Sequence, residues 1–275
     1  RLLRQPAMSA TPIVFEYGGD IWTSAKSGGT AIRITSTAAM ESNPHFSPDG
    51  KWIAFSSNRS GIAQVYVVAS VGGAPTQLTW YPSAASARGF TPDGKEILFS
   101  SGRESAPTGY GRLWKVPVKG GPSELLPAPW GFDGRYAPDG KKLVIDRVSR
   151  WDSEWRHYRG GQNTPLQILD LKTLAEEDIP TDGSEDIHPI WLSNEIFFLS
   201  DRGFIMNVWS YDVSTKAVRQ VTNFTNGDVK WLEGNGNELI IEQDGYLHIV
   251  DPISGKTTQL NISVIGDFPW AETRL

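Results

Sequence analysis

Apolar residues along this chain fall in short runs, each set off by turn residues, and the runs recur at a fixed spacing. Trp52-Ile53-Ala54-Phe55, Ile97-Leu98-Phe99 and Leu143-Val144-Ile145 each follow a turn of one design. These turns are Phe46-Ser47-Pro48-Asp49-Gly50-Lys51, Phe90-Thr91-Pro92-Asp93-Gly94-Lys95 and Tyr136-Ala137-Pro138-Asp139-Gly140-Lys141, at intervals of about 45 residues. The chemistry suits a tight turn between strands: Pro presets φ, Asp caps the backbone and Gly accepts positive φ. The apolar run after each turn reads as a buried strand.

A further strand follows in each unit: Val65-Tyr66-Val67-Val68, Leu113-Trp114-Lys115-Val116 and Leu166-Gln167-Ile168-Leu169. The first two run into hairpins carrying Gly72-Gly73 and Gly120-Gly121. A short last strand such as Thr76-Gln77-Leu78-Thr79 closes the unit. Weaker copies follow. Trp191-Leu192-Ser193-Asn194-Glu195 precedes Ile196-Phe197-Phe198-Leu199, and a stretch from Trp231 to Asn237 precedes Leu239-Ile240-Ile241. Their further strands are Val208-Trp209-Ser210-Tyr211 and Leu247-His248-Ile249-Val250.

At the N-terminus, Ile13 to Tyr17, Asp20 to Thr23, Gly28-Gly29 and Ile32 to Thr35 form one more unit that lacks only a first strand. Units of four strands and 40–45 residues have the dimensions of propeller blades. The expectation is an all-β fold: a six-bladed β-propeller of four-stranded antiparallel blades, forming one domain over residues 1–275. Residues 1–10 are expected to be an N-terminal extension and 148–164 a long insertion between strands. Trp270 to Leu275 is the expected source of the missing first strand, which would close the ring. Leu171 to Glu177 has helix-forming composition, but the repeat register makes it a hairpin.

Composition agrees with many turns and aromatic packing: 28 Gly, 18 Pro and 11 Trp, against 39% hydrophobic and 21% charged residues. A net charge of −5 gives no basic footprint for nucleic acid. The absence of cysteine excludes disulfides, thiolate metal sites and a Cys nucleophile. No apolar run approaches the roughly 20 residues of a membrane span. The chain opens on Arg1 rather than Met, as expected of a processed protein or an excised part of one. A periplasmic or secreted location is favoured slightly over a cytoplasmic one.

The Pro-Asp-Gly turns share one face of such a ring, and the longer connections gather on the other, around the mouth of the axial channel. On that second face a basic residue recurs in four successive units: Arg59, Arg103, Arg147 and Arg202. Each either holds its own loop by pairing with a neighbouring acid or carbonyl, or contributes to a site for an anion such as a peptide carboxylate. The insertion, Ser149-Arg150-Trp151-Asp152-Ser153-Glu154-Trp155-Arg156-His157-Tyr158-Arg159-Gly160-Gly161, has the Trp, Tyr and Arg content of a contact surface. Trp151, Trp155, Tyr158 and Arg159 are its candidate partner-binding residues; the loop could equally fold over its own blade. His45, His157, His188 and His248 fall in different units with no metal-ligand spacing, and local hydrogen bonding is their expected role. No nucleophile elbow, phosphate loop or zinc-protease motif is present, and the acids fall into no evident group. No catalytic residue, cofactor or metal is assigned.

The run Phe-Ser-Pro-Asp-Gly-Lys with Ile-Ala-Phe-Ser-Ser and a downstream Gly-Gly hairpin resembles the repeat shared by TolB-like propellers and tricorn-type serine proteases. More discriminating are Gly18-Gly19-Asp20-Ile21-Trp22-Thr23, the insertion ending Tyr158-Arg159-Gly160-Gly161, and Gly266-Asp267-Phe268-Pro269-Trp270. Together they resemble the first propeller of tricorn-type proteases over nearly the whole chain. In that family a seven-bladed propeller, a PDZ-like domain and a serine protease core follow, and the propellers gate or channel peptides.

The resemblance implies a non-catalytic module whose partners are peptides or other domains of the same polypeptide, in a parent protein able to oligomerise. The family's catalytic Ser and His have no matching positions here. Ser193-Asn194-Glu195 and Gly234-Asn235-Gly236 depart from the family's Pro-Asp-Gly turn. Two other readings stand beside this one. The first is a free-standing TolB-like envelope propeller binding protein partners. The second is a propeller enzyme with a metal at the channel, which needs His or acid side chains converging from several blades.

Overall fold

A computed structural model describes residues 2–105, 110–147, 157–161 and 163–266. Six four-stranded antiparallel sheets follow one another in chain order, and the described residues contain no helix. Blade 1 comprises Arg4–Met8, Pro12–Tyr17, Asp20–Ala25 and Ile32–Arg33. Blade 2 comprises Glu41–Phe46, Trp52–Ser57, Gln64–Ala69 and Thr76–Gln77. Blade 3 runs through Ala85–Phe90, Glu96–Ser101, Arg112–Pro117 and Glu124–Leu125. Blade 4 runs through Asp133–Tyr136, Lys142–Asp146, Gln167–Asp170 and Glu176–Asp178. Blade 5 holds Asp186–Leu192, Glu195–Ser200, Asn207–Asp212 and Val218–Gln220, and blade 6 holds Val229–Asn235, Glu238–Gln243, Tyr246–Val250 and Thr257–Gln259.

The turn motif works as its residues dictate. In blade 2, Asp49 Oδ1 accepts the Ser47 hydroxyl at 2.6 Å and the Lys51 N–H at 3.1 Å, while Gly50, at φ 69°, closes onto the Ser47 carbonyl at 2.8 Å. Thr91 and Asp93 repeat the arrangement in blade 3. The hydroxyl bonds, followed by the backbone N–H bonds, hold Asp49 and Asp93 below the usual carboxylate range. Blade 4 substitutes Ala137 for the hydroxyl residue and keeps the Asp139-to-Lys141 bond at 3.0 Å.

Between blades, the core is a ladder of aromatic pairs on the second and third strands. Phe15 faces Trp22, Phe55 faces Tyr66, Phe99 faces Trp114 and Phe198 faces Trp209. Phe15, Phe55, Phe99 and Phe198 are fully buried, each worth about 1.5–3 kcal/mol of hydrophobic transfer. Blades 4 and 6 break the ladder with Ile145 against Gln167 and Ile241 against His248. Leu171 to Glu177 forms a hairpin, with Leu174 at φ 59° and Asp170 capping the N–H groups of Lys172 and Thr173.

Two expectations about the chain ends are corrected. Residues 4–8 are not an extension: they are the first strand of blade 1, with Ala7 opposite Val14 and Met8 opposite Ile13. Leu3, Ala7 and Met8 are buried, so this segment carries enough apolar surface to take the inner position itself. The closing strand expected from Trp270 to Leu275 lies outside the described residues, and the position it was to fill is already occupied.

Blades 1 and 6 meet instead through one hydrophobic cluster, in which Leu3, Ile13, Phe15 and Trp22 pack against Ile240, Leu247, Leu260 and Ile262. Ile262–Ser263 also pairs in parallel with Gly29–Thr30, which precedes the last strand of blade 1, as a separate two-stranded sheet. Gly28 permits that approach: a Cβ there would lie 2.6 Å from the Asn261 carbonyl oxygen.

Candidate functional site

The first strands line the axis of the ring, and in every blade but the fourth a bulge interrupts them. Gln5, Asn43 and His188 sit in or beside these bulges at positive φ, near 50°. For non-glycine residues this is a costly conformation that recurs at functional positions. Neighbouring blades are tied together at this level. The Gln5 N–H donates to Glu242 Oε2 at 3.0 Å, and Gln5 Oε1 accepts the Asn43 N–H at 2.7 Å.

One layer nearer the turns, three blades send charged or polar side chains to a common point. His45 of blade 2, Arg135 of blade 4 and Glu233 of blade 6 occupy equivalent register positions, opposite Ala54, Val144 and Ile240. Glu233 Oε1 meets His45 Nδ1 at 3.1 Å and pairs with the Arg135 guanidinium. Arg135 also binds Asp133 at 2.8 Å, and Asp133 in turn contacts His188 Nδ1 of blade 5 at 3.2 Å. Arg88 of blade 3 stands nearby, its Nε donating to Ser100 Oγ at 2.9 Å and its guanidinium 4.5 Å from the centre of the Phe132 ring.

Burial sets the protonation states. It works against charge on both carboxylates, but Arg135 and His45 outweigh it at Glu233, and Arg135, Arg88 and His188 hold Asp133 far below the usual range. Burial lowers His45 more than Glu233 raises it, so the imidazole is neutral at neutral pH and donates Nδ1–H to the carboxylate. Among the described residues no cluster of three or more His, Cys, Asp or Glu side chains could hold a metal ion.

Acids and histidines expected to be ungrouped are thus grouped. The missed signal is positional: His45, Arg135 and Glu233 each lie just upstream of their blade's first turn, and only superposition of the repeats reveals the alignment.

Outward from this layer, on the face opposite the Pro-Asp-Gly turns, a chamber of about 760 Å³ opens, with Trp231, His188 and Gln5 in its wall. Glu185, Asp201, Asp228, Glu242 and Asp244 contribute carboxylates, Arg4 and Lys230 cations, and Leu2, Ile187 and Met206 apolar surface. Trp231 and His188 pack with ring centroids 4.5 Å apart.

The recurrent arginines surround this face in three kinds of setting. Arg59 lies over Phe55 and Tyr66, bonds Ser57 Oγ at 3.0 Å and pairs with buried Glu41 at the start of its blade's first strand. Arg202 repeats this with Phe198, Trp209, Ser200 and Asp186, the last at 2.7 Å. In blade 3 the acid position holds Ala85. Arg103 instead stacks 3.7 Å from the Tyr81 ring centre and pairs with Glu104 at 3.1 Å. Arg147 follows Asp146, where the aromatic pair is replaced by Ile145 and Gln167.

Trp151 and Trp155 lie outside the described residues. The described end of the insertion leans on blade 5, not its own blade: His157 stacks on Phe204 at 4.0 Å, and Arg159 binds Asp201 at 3.0 Å. Tyr158 follows His157 on this segment, half-buried, and its carbonyl accepts from Arg159 Nη1 at 3.1 Å.

Comparison with known proteins places this geometry. Residues 1–256 match the family model described as the tricorn protease N-terminal beta propeller domain. A tricorn protease homolog of Saccharolobus solfataricus is 26% identical over 95% of this chain, and tricorn protease homolog 1 of Streptomyces coelicolor is 28% identical over 92%. The chain spans 24% of each of these curated relatives. The crystal structure of the tricorn protease superposes with a TM-score of 0.86 at 23% identity, over 97% of this chain and 27% of that one. TolB from Acinetobacter baumannii shares the fold at a TM-score of 0.64 and 19% identity, over 94% of this chain and 62% of that one.

Proposed function

The chain belongs to the tricorn protease N-terminal β-propeller domain family, and from that premise we propose that it is a non-catalytic module that receives short peptides at its axial chamber and docks other domains of a peptidase. The observation that carries the reading is the chamber itself. It borders the axis on the side of blades 5, 6 and 1, on the face where the connections gather, and combines apolar walls with charges of both signs, as a peptide's side chains and two termini require.

Docking is supported by the same face. Met40 and Trp80 on the connections between blades, and Phe204 between the second and third strands of blade 5, are each more than 60% exposed. Arg59, Arg103, Arg147, Arg202, Tyr158 and Arg159 surround them, with Trp151 and Trp155 on the same insertion. In this reading they border the docked domain.

Calorimetric titration of the purified chain with short unblocked peptides tests the proposal. Binding is expected without turnover. Arg4→Gln with Lys230→Gln, both on exposed chamber residues, is expected to weaken binding at least tenfold with the melting temperature unchanged. Hydrolysis by the chain alone, or peptide binding indifferent to the double variant, would overturn it.

A further inference from the structure

In a ring with an open bore, the side chains around the axis would be wet. At the level of His45, Arg135 and Glu233 they are dry: His45 is 3% exposed and Glu233 8%, and Asp133 beside them is 2% exposed. We propose that Glu233, gripped by His45 from blade 2 and by Arg135 from blade 4, is an axial latch that closes the bore beneath the chamber.

The register explains how three alternate blades can meet. At the same position the other three blades carry Ala7, Gly89 and Ile190, opposite Val14, Leu98 and Phe197. None of these brings a charge, and two are small. Gly89 lies beside Arg135: a Cβ there would sit 3.6 Å from its Cδ and Nε, in ordinary contact, so a methyl group would fit but a longer side chain would meet the arginine. Glu233 and His45 reach each other past blade 1, where Ala7 stands, and Glu233 and Arg135 meet past blade 5. The contacts therefore cross the axis instead of joining adjacent blades.

The latch is also built to let go at one point. Arg135 has a second acidic partner, Asp133 at 2.8 Å on its own strand, bound through Nη1 while Nη2 pairs with Glu233. His45 is neutral and gives up one hydrogen bond. Withdrawing the Glu233 carboxylate leaves no unpaired buried cation, which is the usual obstacle to breaking such a network. The chamber is then a blind funnel, and axial passage to the Pro-Asp-Gly face requires displacement of this one side chain. The inference builds on the reading of the chamber as a peptide site, but its test uses no peptide, so the two fail separately.

The chain's four histidines report on the bore directly through carbethoxylation by diethyl pyrocarbonate, followed by mass spectrometry. In the unaltered chain, His45 is expected to react at least tenfold more slowly than His188, which lines the chamber. In Glu233→Ala, His45 is expected to rise to the rate of His188 while His248, in the blade interior, stays slow. Glu233→Asp keeps the charge and shortens the reach by one methylene, so it is expected to give the same selective rise. His45 reacting as fast as His188 in the unaltered chain overturns the latch, as does His45 remaining protected in both variants. If Glu233→Ala raises all four sites through unfolding, Glu233→Asp decides alone: a selective rise at His45 supports the latch and continued protection overturns it.

Discussion

The two ends of each first strand follow opposite rules. Where the strand enters its turn, blades 2, 3 and 4 are near copies: the same Asp accepts the same backbone N–H, and the same Gly closes the loop. A few residues upstream, on the axis, the blades diverge, and His45, Gly89, Arg135, Ile190, Glu233 and Ala7 share a position without sharing any chemistry. The repeat builds the ring, and departures from the repeat furnish its interior. Damage to a repeated position is borne by one blade, whereas damage on the axis is felt by several.

The largest expected effect follows from that asymmetry. Asp133 binds Arg135 and His188 and faces Arg88, so Asp133→Ala withdraws a carboxylate that blades 3, 4 and 5 all use. Breaking a buried ionic network by removing one partner costs about 3–5 kcal/mol, and a drop of that size is expected in urea unfolding. A loss under about 1 kcal/mol, the scale of an exposed pair, would remove the distinction between axis and turn.

The arginine brackets come next, because they repeat the motif with one part missing. Arg59→Met leaves the buried Glu41 carboxylate with no cation, only the Thr35 and Thr37 hydroxyls; burial already raises its pKa, and the Thr35 bond and Arg59 restrain it. Removing one partner of a hydrogen-bonded charge costs about 1–3 kcal/mol. Arg103→Met strands no buried acid, since Ala85 takes that place and Glu104 is exposed. Thermal melts are expected to separate the two variants, with Arg59→Met the lower. Equal losses would mean that stacking on the aromatic pair, not the buried acid, governs both.

Acid response sharpens the contrast further. Burial lowers His45 below its free value of 6.5, so as pH falls through 6.5 the unfolded chain takes up a proton that the folded chain refuses, and stability declines. His248 is lowered by burial as well and acts with the same sign. Asp133 and Glu233 are depressed, so they surrender their contributions only at lower pH, below the free values of 3.8 and 4.5. Glu16, Glu41, Asp186 and Glu242, raised by burial, act in reverse and gain stability as they protonate above those values. Of these groups, His45 and His248 are the ones that lower stability as protons are added between pH 7 and 6. His45→Gln is expected to flatten, without abolishing, the fall in urea midpoint across that interval; an unchanged slope would place the proton uptake elsewhere.

These contrasts also mark what the sequence could disclose. The blades were legible because their code is local: Pro-Asp-Gly followed by an apolar run can be read within a dozen residues. The first strand of blade 1 was not, since Arg4–Met8 carries a Pro and no preceding turn motif, and its place is fixed by packing against blade 6. The axial cluster was illegible for a different reason. His45, Arg135 and Glu233 are separated by two blades each, and neither spacing nor composition marks side chains that meet only because a ring closes. The arginine recurrence could be seen, but its sorting into forms with and without a buried acid depended on Glu41, Ala85 and Asp186, the residues that begin those first strands.

The smallest expected effect lies at the repeated end and tests redundancy itself. In Asp49→Ala, Asp93→Ala and Asp139→Ala, each change removes one capping carboxylate from an exposed turn whose Gly-to-carbonyl bond survives at 2.8 Å. A lost cap of this kind costs about 0.5–1 kcal/mol. The first two turns also lose a hydroxyl partner, from Ser47 or Thr91, whereas Ala137 offers none. Blade 4 is therefore expected to give the smallest loss, and the triple variant a loss near the sum of the three: the turns adjoin through Pro48 beside Gly94 and Pro92 beside Gly140, but each carboxylate bonds only within its own turn. A triple loss well above that sum would mean that the turns stiffen the ring collectively, and the turn face would then be as cooperative as the axis.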